Sequence, residues 1–167
     1  MKKIFLIVST LLCISCAGSK GPTKNDAAAY MNDYFEKVKL QDFTLVESYY
    51  SDDFYKTTSK EEWKEMYNKI HADLGPLISA ELESWGIRSV VGTSGSGKYF
   101  TFVYQCRYEN GGTSETIVLF APSGSKEMKI NSHNINSSIL DQNDIDREPG
   151  PRNIIAGNNL IYQLRLI

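Results

Sequence analysis

The sequence predicts an α+β domain in which N-terminal helices pack on an antiparallel β-meander. Between residues 27 and 74, apolar residues recur with the three-to-four-residue period of amphipathic helices. From Leu77 onward, apolar residues alternate with polar ones, which is the period of strands. Short connections separate the alternating segments, so neighbouring strands are expected to pair antiparallel. Helices followed by a run of strands form the α+β pattern.

The composition limits the classes of protein that fit. The chain has 167 residues, of which 41% are hydrophobic and 11% aromatic, enough to bury the core of one globular domain. Its 18 Lys and Arg residues do not exceed its 20 Asp and Glu residues, which gives a formal net charge of −2. A disordered tail is excluded, and no nucleic-acid partner is expected.

A leader segment precedes the domain. Lys2 and Lys3 are followed by an apolar run over residues 4–14. The run is shorter than the about 20 residues that a transmembrane helix needs, and it matches the apolar region of a signal peptide. Residues 1–15 are therefore predicted to be a signal peptide.

The end of this leader resembles the bacterial lipobox. Ser15 is a small residue directly before Cys16, and the resemblance implies that Cys16 is lipidated on its thiol and becomes the first residue after cleavage. Cys13 stands three positions earlier, where leucine is usual. Cys13 fits worse as the acceptor, because Leu12 would then take the small-residue position. A plain secretory signal with incidental cysteines is the alternative.

Lipidation of Cys16 would make the membrane a partner of this protein. Each acyl methylene buried in a bilayer contributes about 0.8 kcal/mol, and residues 16–25 would form a short polar tether. Loss of Lys2 and Lys3 with the leader would change the net charge from −2 to −4. Ala17 after the cysteine resembles the pattern for sorting to an outer membrane, facing the periplasm where two membranes exist. The expected location is the cell envelope.

Two helical segments open the domain, which is expected to span residues 26–140. The first carries the apolar stripe Ala27, Tyr30, Met31, Tyr34, Phe35 and Val38. The second is expected to turn Leu45, Val46, Tyr49 and Tyr50 inward. Ser51-Asp52-Asp53 is expected to end it, with Phe54 packed beneath.

The third helix has a start and a stop in the sequence. Ser59 and Glu62 match a capping box, in which each side chain binds the other residue's backbone N–H. The expected buried stripe is Trp63, Met66, Tyr67, Ile70 and Leu74. Gly75-Pro76 ends the helix, since glycine takes a left-handed cap and proline cannot continue.

Four strands are expected to follow, joined by short turns. The first runs from Leu77 to Val91 with a bulge at Gly86, and the second runs from Tyr99 to Tyr108. The second turns Phe100, Phe102, Tyr104, Cys106 and Tyr108 to one face. Turns at 110–112 and 122–125 separate it from strands at 115–121 and 128–135.

The C-terminal residues 141–167 differ in composition from the domain. Residues 141–152 are acidic and then rich in proline and glycine, which indicates a linker. Its acidic residues lack the glycine and the final acid of a calcium loop, so no calcium site is expected. Residues 160–167 are apolar enough to form an added strand or a helical turn.

Gly92 to Lys98 reads G-x-x-x-x-G-K, the opening of a phosphate-binding P-loop. The full motif needs Ser or Thr next and a helix after it. Tyr99 follows instead, and the residues after it alternate as in a strand. A Gly/Ser hairpin loop is therefore expected.

The titratable residues give no motif for chemistry. His71 is expected at the edge of a helical stripe, and His133 on the strand face opposite Met128 and Ile130. Cys106 lies in an aromatic row and is expected to act as a small core hydrophobe. With no zinc motif present, no catalytic residue, metal or cofactor is assigned, and the ten tyrosines are expected to fill the core.

The order of elements resembles the cystatin-like cone of the nuclear-transport-factor-like superfamily. The segments that carry the resemblance are 41–43, 50–54, 63–75, 103–108, 115 and 130–135. It implies a strongly curved sheet crossed by a long helix, often with a pocket between them. Isomerases and cyclases of that group place Asp, His or Tyr in the pocket, but no motif here matches those positions. The fold alone does not imply a function.

The sequence thus favours a membrane-anchored envelope lipoprotein that acts as a non-enzymatic binding or protein-interaction module, with an envelope protein as its partner. The alternative is a pocket protein for a small apolar ligand, or an isomerase-like or hydrolytic enzyme that uses His133 and nearby tyrosines. A third expectation is a homodimer through the open sheet face. A filled interior favours the first interpretation, and an open pocket of about 300 Å³ or more that contains convergent polar groups or a group with a shifted pKa favours the second.

Overall fold

The computed structural model describes residues 21–92 and 96–137. These residues form the predicted α+β arrangement. In chain order the elements are α1 Lys24–Val38, α2 Phe43–Val46, a 3₁₀ turn Glu47–Tyr49, α3 Asp52–Thr57, α4 Lys60–Leu74, β1 Leu77–Val90, β2 Gly97–Tyr108, β3 Gly112–Pro122 and β4 Lys129–Asn136. The predicted signal peptide, Cys16 and the C-terminal segment 141–167 lie outside the described residues.

The long helices begin and end on sequence signals. Thr23 and Asp26 form a capping box at the start of α1, and Ser59 and Glu62 form the predicted one at the start of α4. Gly75 ends α4 with a positive φ of 77°, a conformation that glycine adopts without steric cost. The predicted inward stripes of both helices are buried, apart from the half-buried Tyr30 and Met66.

The middle helical segment differs from the prediction. Ser51 does not end a helix but caps α3, accepting a hydrogen bond from the Phe54 backbone N–H at 3.1 Å. Leu45, expected to point inward, is exposed. The reason is that α2 has a single turn and continues as a 3₁₀ turn, so the helical period does not extend across it. Phe54 is buried as predicted.

The four strands form one antiparallel sheet in the order β1-β2-β3-β4, which is the predicted meander. The predicted bulge at Gly86 is wrong, because Gly86 pairs directly with Thr101. The register of β1 shifts instead at two places, between Leu77 and Ser79 and between Leu82 and Ser84. The position of a bulge depends on the partner strand, and a glycine in one strand does not fix it.

One face of the sheet packs against the helices and forms the core. The predicted row of β2, from Phe100 to Tyr108, is buried on this face beside Phe35, Trp63 and Leu74 from the helices. A parallel bridge between Tyr50 and Ile130 joins the segment before α3 to β4, and the Ser51 N–H donates to the Ile130 carbonyl at 2.9 Å. The helical segments and the last strand therefore contribute to one core.

The helices leave part of β1 uncovered. Leu82, Trp85 and Ile87 pair with buried residues of β2, so they point to the helix side of the sheet. They nevertheless remain 41%, 48% and 46% exposed. Across the part of the chain that the structure describes, no helix has both the length and the apolar character needed to cross a membrane.

Candidate functional site

His133 lies on the inner face of β4, not on the face that the sequence predicted. Leu119 pairs with Ile130, whereas Val118 pairs with Ser132, so Asn131 is an extra residue in β4. This bulge changes the alternation, and both Ile130 and His133 become buried on the helix side. The prediction that His133 is opposite Ile130 is therefore wrong, and its physical reason is the inserted residue.

His133 is paired with a buried carboxylate. Its Nε2 lies 3.0 Å from Glu115 Oε2, and both residues are almost fully buried. Glu115 is on the same face of β3 as Ile117 and Leu119, so its side chain points into the core. Its Oε1 accepts hydrogen bonds from Tyr108 at 2.9 Å and from Thr113 at 2.7 Å. The carboxylate thus has three donors in place of water.

Two tyrosines continue the hydrogen bonds on the other side of the imidazole. His133 Nδ1 lies 2.8 Å from the Tyr50 hydroxyl, which lies 2.8 Å from the Tyr34 hydroxyl. Every group is matched when Tyr34 donates to Tyr50, Tyr50 donates to Nδ1 and the Nε2–H donates to Glu115. We call this chain, with Tyr108 and Thr113 at its far end, the buried network.

The surroundings shift the pKa values of the network in opposite directions. Burial by itself would raise the pKa of Glu115, but the bonds from His133, Thr113 and Tyr108 hold that pKa below its ordinary value. Burial raises the pKa values of Tyr34 and Tyr50 well above the ordinary tyrosine value, and that of Tyr108 also rises. The carboxylate is therefore kept charged and the three phenols neutral.

Hydroxyl, imidazole and carboxylate stand in the order of a nucleophile, a base and the group that orients the base. Such a site also needs room for a substrate. The cavity beside Glu115 and His133 has a volume of about 10 Å³, which is space for one water molecule. The Nε1 of Trp63 and the Nε2 of His71, both at this cavity, have no hydrogen-bond partner among the described residues. The cavity has room for one water molecule and is far smaller than the pockets that hold small-molecule ligands.

A larger groove lies outside the core, between α3 and the outer ends of β3 and β4. Its volume is about 680 Å³, and its lining includes the buried Tyr50 and Asn131. Acidic and basic side chains both line it: Glu47, Asp52, Asp53, Glu127, Lys56, Lys60 and Lys129. Burial raises the pKa of Tyr55, another lining residue, to about 12. Within the described ranges no histidine or cysteine lines this groove, although its carboxylates, its lysines and Tyr55 are groups that can transfer protons.

The remaining residues from the sequence analysis have structural roles where they are described. His71 is half-buried, its Nδ1 lies 3.4 Å from the Gly75 carbonyl, and burial lowers its pKa. Cys106 is buried in the predicted aromatic row, and burial raises the pKa of its thiol, so it is a core residue as predicted. Cys16 and the acidic residues of the 141–152 segment lie outside the described residues.

The P-loop alternative is excluded by the strand that comes directly after the motif. Gly97 and Lys98 begin the strand β2, so the helix that the motif requires directly after it is replaced by a strand. The Lys98 ammonium donates to the Pro22 carbonyl at 3.2 Å. The predicted hairpin connection is confirmed, because β1 and β2 pair antiparallel across it.

Glu115 was not predicted as a site residue from the sequence. The signal was present, since a glutamate occupies a position of the strand 115–121 where the alternation places apolar residues. Comparison with known proteins adds nothing to this geometry: neither a family model, nor a curated protein, nor a solved structure matches the chain.

Proposed function

We propose that this protein is a lipid-anchored module of the cell envelope that binds a partner on its outer surface and has no catalytic function. The proposal that the protein has no catalytic function rests on its filled interior. The finer fold proposed is the curved, cystatin-like cone. Cys16 would hold the acyl chains, facing the periplasm from an outer membrane where two membranes exist.

The interior is too small for a ligand. Pockets for small molecules have volumes of about 300–1,000 Å³, whereas the cavity beside Glu115 and His133 has a volume of about 10 Å³. Trp63, Tyr34 and Tyr67 occupy the region where a ligand would sit. The buried network then serves to fix β4 and the helices in one arrangement, since each of its groups is satisfied only when all are in place.

Two observations favour a second candidate, a pocket protein or enzyme. The groove beside α3 has a volume of about 680 Å³ and a lining of charged and polar side chains, which is within the size range of small-molecule pockets. The order Tyr50, His133, Glu115 is that of a proton-transfer chain. It could act only if the aromatic side chains that seal it moved apart and admitted a ligand.

Indole separates these two candidates. If the interior is filled, adding indole should leave the Tm of the wild type unchanged. Indole should raise the Tm of Trp63→Ala, because that variant has a cavity where the buried indole ring of Trp63 was removed. The pocket candidate would be supported if indole raised the Tm of the wild type and if the larger side chain in Tyr34→Trp abolished this rise. If Trp63→Ala does not fold, the wild-type measurement alone decides between them.

The anchor is tested by labelling and phase partition. The wild type is expected to incorporate a labelled fatty acid and to enter the detergent phase, and Cys16→Ala is expected to do neither. Cys13→Ala is the matched control, because that residue would be removed with the leader. Loss of label from Cys13→Ala with retention in Cys16→Ala would overturn the assignment of the acceptor.

A further inference from the structure

The β1–β2 hairpin exposes apolar side chains next to cationic ones. Trp85 and Ile87 are about half exposed on the uncovered part of β1, and Val91 just beyond it is 93% exposed. The Lys24 ammonium lies 4.1 Å from the centre of the Trp85 ring. On the other face of the hairpin, the Arg88 guanidinium lies 5.1 Å from the Tyr99 ring. Cation and aromatic ring thus occur together twice.

The charge of this hairpin is opposite to that of the whole chain. Residues 84–103 contain Arg88 and Lys98 and no Asp or Glu, although acidic residues outnumber basic ones in the sequence. Tryptophan and aliphatic side chains bordered by Lys and Arg are the composition of surfaces that lie in the headgroup region of a membrane. Anionic headgroups attract such cations at close range.

The chain enters the domain at the same end of the sheet. The Pro22 carbonyl accepts the hydrogen bond from Lys98, at the start of β2. A Cβ on Gly21 would lie 3.7 Å from the Ser125 carbonyl oxygen, in the turn that follows β3. Both contacts place the entry point beside the β1–β2 connection. Five residue steps separate Cys16 from Gly21, and an extended chain covers at most about 18 Å in that number.

We infer that the hairpin surface, defined as Trp85, Ile87, Val91, Lys24 and Lys98, rests in the lipid headgroup layer of the membrane that holds the anchor. The inference depends on the proposed lipidation of Cys16, which brings this end of the domain to the bilayer. A second copy of the chain is a poorer occupant, because it would present the same cations to this surface. The contact would fix the orientation of the domain on the bilayer.

Tryptophan fluorescence tests the inference, because the two tryptophans of the chain differ in exposure. Trp63 is 1% exposed in the core, and Trp85 is on the hairpin surface. The full lipidated protein is reconstituted in vesicles of equal parts phosphatidylethanolamine and phosphatidylglycerol with brominated acyl chains. Emission from Trp85 is expected to fall at least ~2-fold, since an interfacial tryptophan reaches the bromine atoms. Trp85→Phe, which retains Trp63, is expected to show no quenching.

A pair of variants separates a specific contact from general proximity. Ile87→Ser with Val91→Ser is expected to weaken the quenching of Trp85 at least ~2-fold, because it removes two apolar contacts. Leu40→Ser is the matched control, since Leu40 is 62% exposed at the other end of α1 and is expected to leave the quenching unchanged. Equal effects of the two variants would overturn the inference.

Co-flotation with the vesicles is measured in the same samples. Flotation with quenching confined to Trp85 supports the inference. Flotation without quenching of Trp85 overturns the inference but leaves the proposed anchor intact. A dimer would also overturn the inference and leave the anchor intact; it would be detected by light scattering of the protein in detergent and by protection of Trp85 from acrylamide quenching. Quenching of Trp63 would mean unfolding on the lipid and also overturns it. If the protein does not float, the proposed anchor fails and the inference fails with it.

Discussion

Replacing Glu115 with glutamine removes a carboxylate that three buried donors share. The side chain keeps its size, so the packing around Ile117 is preserved and the change is electrostatic. An amide has one acceptor oxygen, and its NH₂ group must face either the His133 Nε2–H or the hydroxyls of Tyr108 and Thr113. If the NH₂ group faces the Nε2–H, two donors meet and that hydrogen bond is lost; if it faces the two hydroxyls, these must turn and accept, and their hydrogen bonds to a charged oxygen are lost.

The magnitude follows from these contacts. A hydrogen bond to a charged group contributes about 1.5–3 kcal/mol, and a buried donor without an acceptor costs about as much. Glu115→Gln is therefore expected to lower the free energy of unfolding by about 3 kcal/mol, equivalent to a fall in Tm of roughly 10 °C. Urea denaturation is followed by the emission of Trp63, whose ring centre lies 5.3 Å from that of His133. Glu81→Gln, an exposed change on β1, is the control and is expected to stay within about 0.5 kcal/mol.

The same variant gives a pH dependence with a definite sign. The pKa of Glu115 is lowered in the folded state from the ordinary value of 4.5, so its ionised form stabilises the fold above that value. As the pH falls from 4.5 through the lowered pKa, this stabilisation is lost in the wild type but not in the variant. The difference in unfolding free energy between the two proteins should therefore be constant above about pH 5 and narrow in acid. A difference that stays constant or widens down to pH 3 would refute the reasoning.

Three further predictions concern the core. Tyr50→Phe is expected to lower the free energy of unfolding, measured by urea denaturation, by about 2 kcal/mol, and Tyr34→Phe by about 1 kcal/mol. The reason is that Tyr50 bridges two partners, whereas Tyr34 stands at the end of the chain of hydrogen bonds. Equal losses in the two variants would contradict this order. Gly97→Ala is expected to cost about 2 kcal/mol, because its Cβ would lie 2.5 Å from a carbonyl oxygen of β3. Gly86→Ala, whose added methyl group meets open space, is expected to be neutral or slightly stabilising. Thermal denaturation should therefore give a lower Tm for Gly97→Ala than for Gly86→Ala. The reverse order would be evidence against the close approach of β2 and β3 at Gly97. Cys106 is expected to resist iodoacetamide until denaturant is added, because burial raises the pKa of its thiol; labelling of the folded protein, detected by peptide mass spectrometry, would contradict this.

Local signals in the sequence predicted much of the fold. The capping box of Ser59 and Glu62 involves residues three apart, and the buried row from Phe100 to Tyr108 follows from strand alternation. Both depend on near neighbours in the chain. The hairpin turns are likewise short, and the sheet order follows from them.

The errors come from features that two distant segments decide together. The extra residue Asn131 is defined only by the pairing of β4 with β3, and it changes the face of His133. The shifts in β1 likewise belong to its pairing with β2 and not to Gly86. Leu45 was assigned to the wrong side of its helix, because α2 has only one turn and the spacing of its apolar residues does not define a buried face. Register is a property of pairs, so one strand read alone does not reveal it.

The candidate site was the least predictable part. Glu115 and His133 are 18 residues apart and Tyr50 is 83 residues from His133, so only the folded sheet brings them together. Whether the space between helices and sheet is filled depends on the volumes of Trp63 and its neighbours. Composition gives the number of aromatic residues but not the cavity that they leave.

The bridge between Tyr50 and Ile130 also sets an order of events in folding. Each hairpin of the meander closes a loop of a few residues, whereas this bridge closes a loop of about 80 residues at a larger entropic cost. We therefore expect the strands to pair first and the helical half to attach to β4 afterwards. The Tyr50–His133 hydrogen bond forms only with that attachment. Substitutions of Tyr50 should accordingly accelerate unfolding and leave the folding rate nearly unchanged.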